Sequence, residues 1–479
     1  MADTAAAAST FVERAHKVLG NTKLRGNFRR AMDGLMAKRA AQFADIAAWK
    51  SLRARGAAAK RRVLARLPEL LEQLEANCTT NGITVHWAET THEANSIVLK
   101  ILQDHDAKTI VKGKSMVSEE MHLNAFLQKH GIEAIESDLG EYIIQLAGEA
   151  PSHIVMPCIH KDKGEIAELF TKHIDGQPYT EDVAELTDAA RRVLRSRFAA
   201  ADAGLSGVNF AVAETGTLVL IENEGNGRLS TTLPPLHIAV MGIEKLVETL
   251  DDIPPLLSLL PRSATGQSIT TYVNMITSPR KPGEKDGPQE VHLVLLDNGR
   301  SRVYADTQLR DTLRCIRCGA CMNHCPVYAR VGGHTYNAVY PGPIGKILTP
   351  QLNGIAVAGD LPHACTLCNA CVEICPVNIP IAEIMVRLRR EAVHPSDSPA
   401  VMGAGCKHTA TEAAVWTGWK TMYASPALYR MGAKMMQRFG NMMPAGMPLL
   451  KEWTSVRTRP VFAKKTLHEL AKEQGYSDV

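Results

Sequence analysis

Residues 315–326 read CIRCGACMNHCP, and residues 365–376 read CTLCNACVEICP. Each stretch has the spacing C-x2-C-x2-C-x3-C-P, which is typical of cubane iron–sulfur sites. Three thiolates at such short intervals can wrap one loop around three corners of a cubane, and small residues such as Gly319 and Ala370 keep the chain close. The two quartets therefore predict two [4Fe–4S] clusters.

The fourth cysteine of each quartet is expected to bind the cluster of the other quartet, because it points away along the departing helix. One cluster is predicted to be held by Cys315, Cys318, Cys321 and Cys375, and the second by Cys365, Cys368, Cys371 and Cys325. Structural zinc is the alternative interpretation. Zinc sites use pairs of C-x2-C separated by roughly a dozen or more residues, so two identical quartets closed by proline favour iron–sulfur clusters.

Length, charge and hydropathy exclude several classes of protein. The 479 residues suffice for about three domains. A net charge of +4 gives no argument for a nucleic-acid partner. No signal peptide and no run of about 18 apolar residues occurs, so we expect a cytoplasmic chain without a transmembrane span. In a reducing compartment grouped thiols bind metal, and peripheral membrane contact stays open.

The chain is predicted to contain four segments. Residues 1–77 form a helical lead, in which a basic group is expected on a solvated helix face: Lys60, Arg61, Arg62 and Arg66. Residues 78–300 alternate short β-rich runs with helical stretches, which indicates an α/β domain with a largely parallel sheet and helices on both faces. Residues 301–395 hold the quartets, and 396–479 form a helical C-terminal segment suited to binding a partner.

The C-terminal segment carries Trp416 and Trp419 and seven methionines between Met422 and Met447. A methionine stripe of this kind packs into a core or forms an adaptable partner-binding face, and the core is the commoner outcome. Cys406, beside Lys407 and His408, is a weaker candidate for a redox or ligand role.

Polar, glycine-rich stretches at predicted strand ends suggest an anion pocket in the α/β domain. Its candidate residues are Lys112, Lys114, Ser115, Glu214 and Thr217. Lysine, serine and backbone amides at the carboxyl ends of parallel strands suit an anionic ligand, although ordinary turns have the same composition. No standard catalytic motif is present, so no catalytic residue is predicted.

Three stretches resemble the LUD domain of lactate-utilisation proteins: KGKSMVSEE (112–120), ETGTLVLIENEGNGR (214–228) and VHLVLLDNGR (291–300). With the quartets and the tryptophan-containing end, the order of segments is similar to that of the lactate utilisation iron–sulfur protein B family. The resemblance implies a three-layer α/β/α domain like those of the sugar-isomerase and CoA-transferase superfamily. The long separation of the quartets is similar to helical ferredoxin domains, which implies an α-helical ferredoxin domain and then a helical C-terminal segment.

The resemblance also implies a function. The chain would be an electron-transfer subunit, non-catalytic or co-catalytic, of a multi-subunit system oxidising L-lactate to pyruvate. Its implied partners are a cysteine-rich CCG-domain subunit and a stand-alone LUD-domain subunit. Two alternatives stay open: the LUD domain is itself the catalytic site for a hydroxy acid or activated anion, or the chain is an adaptor of a glycolate- or heterodisulfide-type oxidoreductase. A regulatory module that senses cluster loss would not need two clusters.

Overall fold

The structure is a computed structural model that describes residues 10–394, 401, 410–444, 446–447, 451, 454 and 457–476. The chain divides into two units, Met1–Cys406 and Lys407–Val479. The predicted helical lead, α/β segment and cysteine-rich segment thus share the first unit. Cys406, the weaker candidate ligand, lies outside the described residues.

The first unit begins with four helices. Thr10, Asn21 and Asp45 cap the first three by accepting backbone N–H groups three residues further on. The helices are α1 (Phe11–Leu19), α2 (Thr22–Gln42), α3 (Ile46–Ala65) and α4 (Leu67–Thr80). The expected solvated face of α3 is wrong for Lys60, which is buried. Its ammonium donates to the backbone oxygens of Glu244 and Leu246, at 2.7 and 2.9 Å.

The α/β segment contains ten strands. They are β1 (Thr84–Ala88), β2 (Thr109–Lys112), β3 (Glu133–Glu136), β4 (Ala203–Gly207), β5 (Phe210–Val212), β6 (Thr217–Glu222), β7 (Leu236–Gly242), β8 (Leu246–Val247), β9 (Tyr272–Ile276) and β10 (Glu290–Leu296). Six form a parallel sheet in the order β1-β10-β7-β4-β2-β3. Its central strands are apolar on both faces, as in β7, where every residue is buried.

Helices cover both faces of the parallel sheet, which confirms the three-layer α/β/α prediction. These helices are α5 (Thr91–Asp104), α6 (Met116–Glu120), α7 (Leu123–Lys129), α8 (Leu139–Ala147), α9 (Lys163–His173), α10 (Val183–Ala200), α11 (Asn226–Thr232) and α12 (Ile253–Ala264). Helices α5 and α7 share a core with strand residues such as Ile110 and Leu205. Helices α8, α9 and α10 share another with Val111 and Ile135.

A second, four-stranded sheet in the order β8-β5-β6-β9 was not expected. Strands β5 and β6 pair antiparallel, and β6 pairs antiparallel with β9. Only residues 213–216 separate β5 from β6, a connection too short for the crossover that parallel strands require. Gly216 turns the chain there with φ +66°.

The cysteine-rich segment is helical, as predicted. Its helices are α13 (Arg300–Ala305), α14 (Ala320–Asn323), α15 (Tyr328–Val331), α16 (Gly342–Asn353), α17 (Ile355–Ala358), α18 (Ala370–Glu373) and α19 (Ile381–Val393). Side chains such as Leu313, Ile344 and Leu388 share one core with α2, α3, α4 and the second sheet. The two quartets therefore pack within the first unit and do not form a separate domain.

The second unit contains α20 (Ala410–Ala424), α21 (Pro426–Phe439) and α22 (Leu467–Glu473). No described residue of α20 or α21 is buried. Trp416, Trp419, Met431 and Met435 are all exposed, so a methionine core stripe does not form in the described part of this unit. Within the described chain, every helix is too short or too polar to cross a bilayer.

Candidate iron–sulfur sites and an adjoining cavity

The two cysteine loops adopt the same backbone course. Arg317 and Gly319 have φ of +60° and +74°, and Leu367 and Asn369, at the matching positions, have φ of +53° and +63°. A short helix follows each loop, α14 in the first and α18 in the second. Non-glycine residues rarely adopt positive φ, and such strain clusters at functional sites. The repeated spacing therefore folds into a repeated, strained loop.

The eight cysteines line two cavities of similar size. We call the space of about 20 Å³ bounded by Cys315, Cys318, Cys321 and Cys375 the first cysteine cavity. The second cysteine cavity, also of about 20 Å³, is bounded by Cys325, Cys365, Cys368 and Cys371. Each quartet supplies three thiols to one cavity and its fourth thiol to the other. Ile381 lines both cavities, so the two adjoin at this side chain.

Backbone amides donate to several of these sulfurs. The N–H groups of Arg317 and Leu367 lie 3.4 Å from the Sγ atoms of Cys315 and Cys365, two residues earlier in each loop. The fourth cysteine of each quartet also accepts from a backbone amide. Tyr328 N–H lies 3.5 Å from Cys325 Sγ, and Ile379 N–H lies 3.4 Å from Cys375 Sγ. Such donors favour thiolate over thiol and tune a bound cluster.

Basic side chains from distant parts of the chain surround the cysteine loops. Arg39 of α2 donates to the backbone oxygen of Ile374 at 3.1 Å, and Arg53 of α3 donates to that of Cys375 at 2.7 Å. Buried Lys346 places its ammonium 3.7 Å from Cys325 Sγ. A [4Fe–4S] cluster with four thiolates is anionic, so these cations offset its charge.

The donor chemistry of both cavities fits iron–sulfur clusters. Burial, followed by the neighbouring thiols, raises the pKa of Cys371 to about 12, and burial raises the pKa of Cys318 strongly. Without metal these thiols would stay protonated, whereas iron holds them as thiolates. Four thiols with amide donors and nearby cations are therefore suited to hold one cluster in each cavity.

A third cavity, of about 380 Å³, lies at the carboxyl ends of the parallel strands, and we call it the strand-end cavity. Residues 113–117 follow β2, Asp138 follows β3, and residues 207–209 end β4 and begin the next turn. The end of β6 and the last turn of α12 also line it. In open α/β sheets this edge is where ligands bind.

Two of the five predicted pocket residues line the strand-end cavity. Lys114 is ion-paired there with Glu141, and Ser115 caps α6 by accepting the N–H of Ser118 at 3.3 Å. Lys112 does not line the cavity. It is buried and ion-paired with Glu136 and Glu119, at 2.6 and 2.9 Å, so its charge is used inside the fold.

Glu214 and Thr217 do not reach the strand-end cavity, which corrects their assignment to one pocket. Glu214 accepts the N–H of Leu250 at 3.1 Å, and the Thr217 hydroxyl lies 2.8 Å from that of Thr215. Both lie at the β5–β6 turn. Strand β6 runs away from this turn, and its first residue that lines the cavity is Leu220. The β5–β6 turn and the strand-end cavity therefore lie at opposite ends of β6.

Two cationic residues of the cavity, Lys245 and Arg317, were not predicted from the sequence. Lys245 is 8% exposed, lines the cavity and has no hydrogen-bond or ion-pair partner among the described residues. Burial, and then the Arg317 charge, lowers the pKa of Lys245 to about 8. Arg317 donates from Nη2 to Glu244 at 2.9 Å, but its buried Nη1 has no partner in the described structure. Only the position of Arg317 between two cysteines could have drawn attention to it.

Carboxylates occupy another part of the same cavity. Glu224 accepts the N–H of Leu139 at 3.1 Å, and Asp138 lies close by. Burial within the cavity, and then the neighbouring Asp138 charge, raises the pKa of Glu224 to about 7. The cavity therefore offers two cations without full partners and three carboxylates, of Asp138, Glu222 and Glu224.

Three family models match consecutive parts of the chain. They are the LUD domain over residues 71–296, the 4Fe-4S dicluster domain over 311–379, and the C-terminal domain of lactate utilisation protein B over 387–476. The dicluster match covers both quartets and agrees with the two cysteine cavities.

Curated relatives match along nearly the whole chain. The chain is 40% identical over 472 residues to "Lactate utilization protein B" of Anoxybacillus flavithermus, covering 97% of this chain and 98% of that protein. The protein of the same description from Bacillus subtilis is 39% identical over 480 residues, with 97% and 98% covered. An "Uncharacterized electron transport protein YkgF" of Escherichia coli is 44% identical over 380 residues, with 79% and 80% covered.

Proposed function

The chain belongs to the lactate utilisation protein B family, and from that premise we propose that it is the iron–sulfur electron-transfer subunit of a multi-subunit system oxidising L-lactate to pyruvate. It has a 4Fe-4S dicluster domain, and its relatives are described as lactate utilisation and electron transport proteins. The observation that carries the proposal is the pair of adjoining four-thiol cavities, both of which Ile381 lines.

The proposed ligands follow the crossed grouping. Cys315, Cys318, Cys321 and Cys375 hold the first cluster, and Cys365, Cys368, Cys371 and Cys325 hold the second. When bound, each cluster takes up and releases one electron at a time. The grouping of thiols around the two cavities and the amide N–H groups directed at their sulfurs support this assignment.

The surroundings of the two cavities suggest a direction for electron flow. The first cysteine cavity is bounded by no exposed cysteine and shares Ile154 with the strand-end cavity. The second reaches the surface, where Cys368 and Leu367 are exposed. Electrons would therefore enter at the buried cluster and leave to a partner from the exposed one.

The proposed partners are a CCG-domain subunit and a stand-alone LUD-domain subunit in the cytoplasm. The C-terminal segment, residues 396–479, is proposed to bind one of them. Support for this role comes from the large side chains that α20 and α21 leave exposed, including Trp416, Trp419 and Met435. Aromatic residues and methionine are enriched in protein interfaces.

A second candidate function has its own supporting observation. The strand-end cavity is large enough for a small ligand and shares a wall with the first cysteine cavity, so the LUD domain could itself be the site of lactate oxidation. Clusters alone remove no hydride, and the proposed relay therefore needs a donor subunit. An adaptor role in a glycolate or heterodisulfide system has no support among the relatives named above.

Metal analysis after anaerobic purification tests the clusters. We expect about eight iron atoms and eight acid-labile sulfides per chain. Cys325→Ser should lose the second cluster and keep the first, whereas Cys158→Ser, a partly buried cysteine outside the quartets, should keep both. Stoichiometric zinc with little sulfide, or loss of only the first cluster in Cys325→Ser, would contradict the proposal.

Lactate-dependent reduction separates the two candidate functions. The loaded chain is mixed anaerobically with L-lactate, with and without its two proposed partners, and bleaching of the cluster absorbance is followed. Bleaching only with the partners present supports the relay. Bleaching of the isolated chain supports catalysis by the LUD domain.

A further inference from the structure

The lining of the strand-end cavity comes from different parts of the fold. It includes the residues at the carboxyl ends of β2 and β4 and also Arg317 of the first cysteine loop. Ile154 lines both this cavity and the first cysteine cavity. The strand-end cavity and the first cysteine cavity therefore adjoin at Ile154.

Two cations of the cavity keep donors that no described protein group accepts from. Lys245 is more than nine-tenths buried without a partner among the described residues, and Arg317 Nη1 is buried and unpaired. Burying a charge or a donor without a partner is costly, and an anionic ligand would remove that cost. Lys114, by contrast, is paired with Glu141.

We propose that the strand-end cavity binds a small monocarboxylate, held by Lys245 and by the free Nη1 of Arg317 beside the first cysteine cavity. A guanidinium and an ammonium are the usual partners of a carboxylate, and guanidinium donors add directionality. A cavity of about 380 Å³ is within the range that small-molecule sites occupy.

Carboxylates that also line the cavity restrict the ligand to one carboxylate. They belong to Asp138, Glu222 and Glu224, and a second negative group on the ligand would meet their charges. A hydroxyl or carbonyl group could instead bond with neighbouring polar side chains such as Asn226 and Thr270. Together with the proposed function, on which this choice rests, these features favour 2-hydroxy and 2-oxo monocarboxylates over dicarboxylates.

Binding should also change the reduction potential of the first cluster. The bound carboxylate would offset positive charge at Arg317, which lies between the ligands Cys315 and Cys318. Less positive charge beside a cluster disfavours its reduced, more negative form. Pyruvate should therefore lower the reduction potential of the first cluster and leave that of the second nearly unchanged.

The test uses the full-length, iron–sulfur-loaded chain without partners. Pyruvate and malate are titrated by calorimetry, and the cluster potentials are measured with and without pyruvate by electron paramagnetic resonance. The variants are Lys245→Met, Lys245→Arg and, as a control, Lys285→Met in an exposed loop. Iron content is measured in every sample.

We expect wild type, Lys245→Arg and Lys285→Met to bind pyruvate and to lower the potential of the first cluster. Lys245→Met should bind it at least tenfold more weakly, and malate should bind at least tenfold more weakly than pyruvate to wild type. If Lys245→Met fails to fold, the comparison of pyruvate with malate binding to the wild-type chain still tests the proposal. Equal binding by Lys245→Met, equal binding of malate, or no binding by wild type would overturn the proposal.

Failure of this inference is distinguishable from failure of the proposed function. Absence of pyruvate binding, with iron content and partner-dependent reduction by lactate intact, would remove the monocarboxylate site alone. Absence of clusters or of partner-dependent reduction would instead remove the electron-transfer function.

Discussion

Replacing Glu244 by glutamine should destabilise the first unit strongly. Glu244 follows β7 and is buried, and its carboxylate accepts from Arg300 Nε at 2.6 Å and from Arg317 Nη2 at 2.9 Å. Arg300 also pairs with Glu120, at 2.8 Å. This network joins the α/β segment to the first cysteine loop, so its loss should destabilise both.

The pKa of Glu244 gives the size of the effect. Burial opposes its ionisation, but Arg300 and Arg317 outweigh burial and lower the pKa from 4.5 to about 2. A difference of roughly 2.5 units corresponds to about 3 kcal/mol of folding free energy. Glutamine keeps one hydrogen-bond acceptor but leaves a guanidinium charge uncompensated, and breaking a buried pair costs about 3–5 kcal/mol.

Urea unfolding followed by circular dichroism measures the change in the free energy of unfolding, in samples of matched iron content. The control is Glu248→Gln. Glu248 also faces two arginines, Arg66 at 2.8 Å and Arg62 at 3.6 Å, but these are about half exposed. Exposed pairs contribute about 0–1 kcal/mol, so the control should lose little stability.

The difference between wild type and Glu244→Gln should not shrink as the pH falls from 8 to 5. Because the folded pKa of Glu244 is lowered, its contribution is complete above the unfolded value of 4.5 and is lost only as the pH falls toward about 2. A loss below 1 kcal/mol, equal to that of Glu248→Gln, would refute the reasoning. So would a difference that shrinks between pH 8 and pH 5.

Three further predictions concern the sites. Lys346→Met should lower the reduction potential of the second cluster by about 60 mV, which is a tenfold change in a one-electron equilibrium. The reason is the loss of a buried positive charge 3.7 Å from Cys325 Sγ, and a redox titration measures the change. Gly319→Val should reduce iron content, since φ of +74° strains a branched residue and an added Cβ would lie 3.1 Å from a methyl carbon of Val155; metal analysis checks this. Pyruvate binding should weaken as the pH rises through about 7, because Glu224, whose raised pKa is about 7, then ionises and adds a negative charge to the cavity. Calorimetry from pH 6 to pH 8 measures the change in affinity.

The features set by local sequence could be predicted. The quartets repeat one spacing, and that spacing produces two loops with matching positive-φ residues, Arg317 with Leu367 and Gly319 with Asn369. Likewise, apolar runs such as residues 236–242 become central parallel strands because each has the length and composition of a strand buried on both faces.

The membership of the strand-end cavity could be predicted only in part. Lys114 and Ser115 directly follow β2, so the rule that ligands bind at the carboxyl ends of parallel strands found them. The same rule misled for Glu214 and Thr217, because β5 and β6 form a hairpin of a second sheet and not consecutive parallel strands. Short β-rich runs do not reveal which sheet each will join.

Burial by distant segments was beyond the reach of sequence patterns. The periodicity of α3 favoured an exposed Lys60, yet backbone oxygens near β8 accept its hydrogen bonds. Lys245 lies in no motif and becomes notable only because the folded chain leaves its ammonium without a partner beside Arg317. Such properties depend on contacts between residues far apart in the chain.

The contacts between the N-terminal helices and the second quartet have a consequence for biosynthesis. Arg39 and Arg53 emerge from the ribosome more than 300 residues before the Ile374 and Cys375 oxygens to which they donate. Neither cysteine cavity can close until the second quartet has been translated. Iron delivery is thereby postponed until almost all of the first unit exists, and a chain that terminates before the second quartet retains no complete four-thiol pocket in which to trap iron.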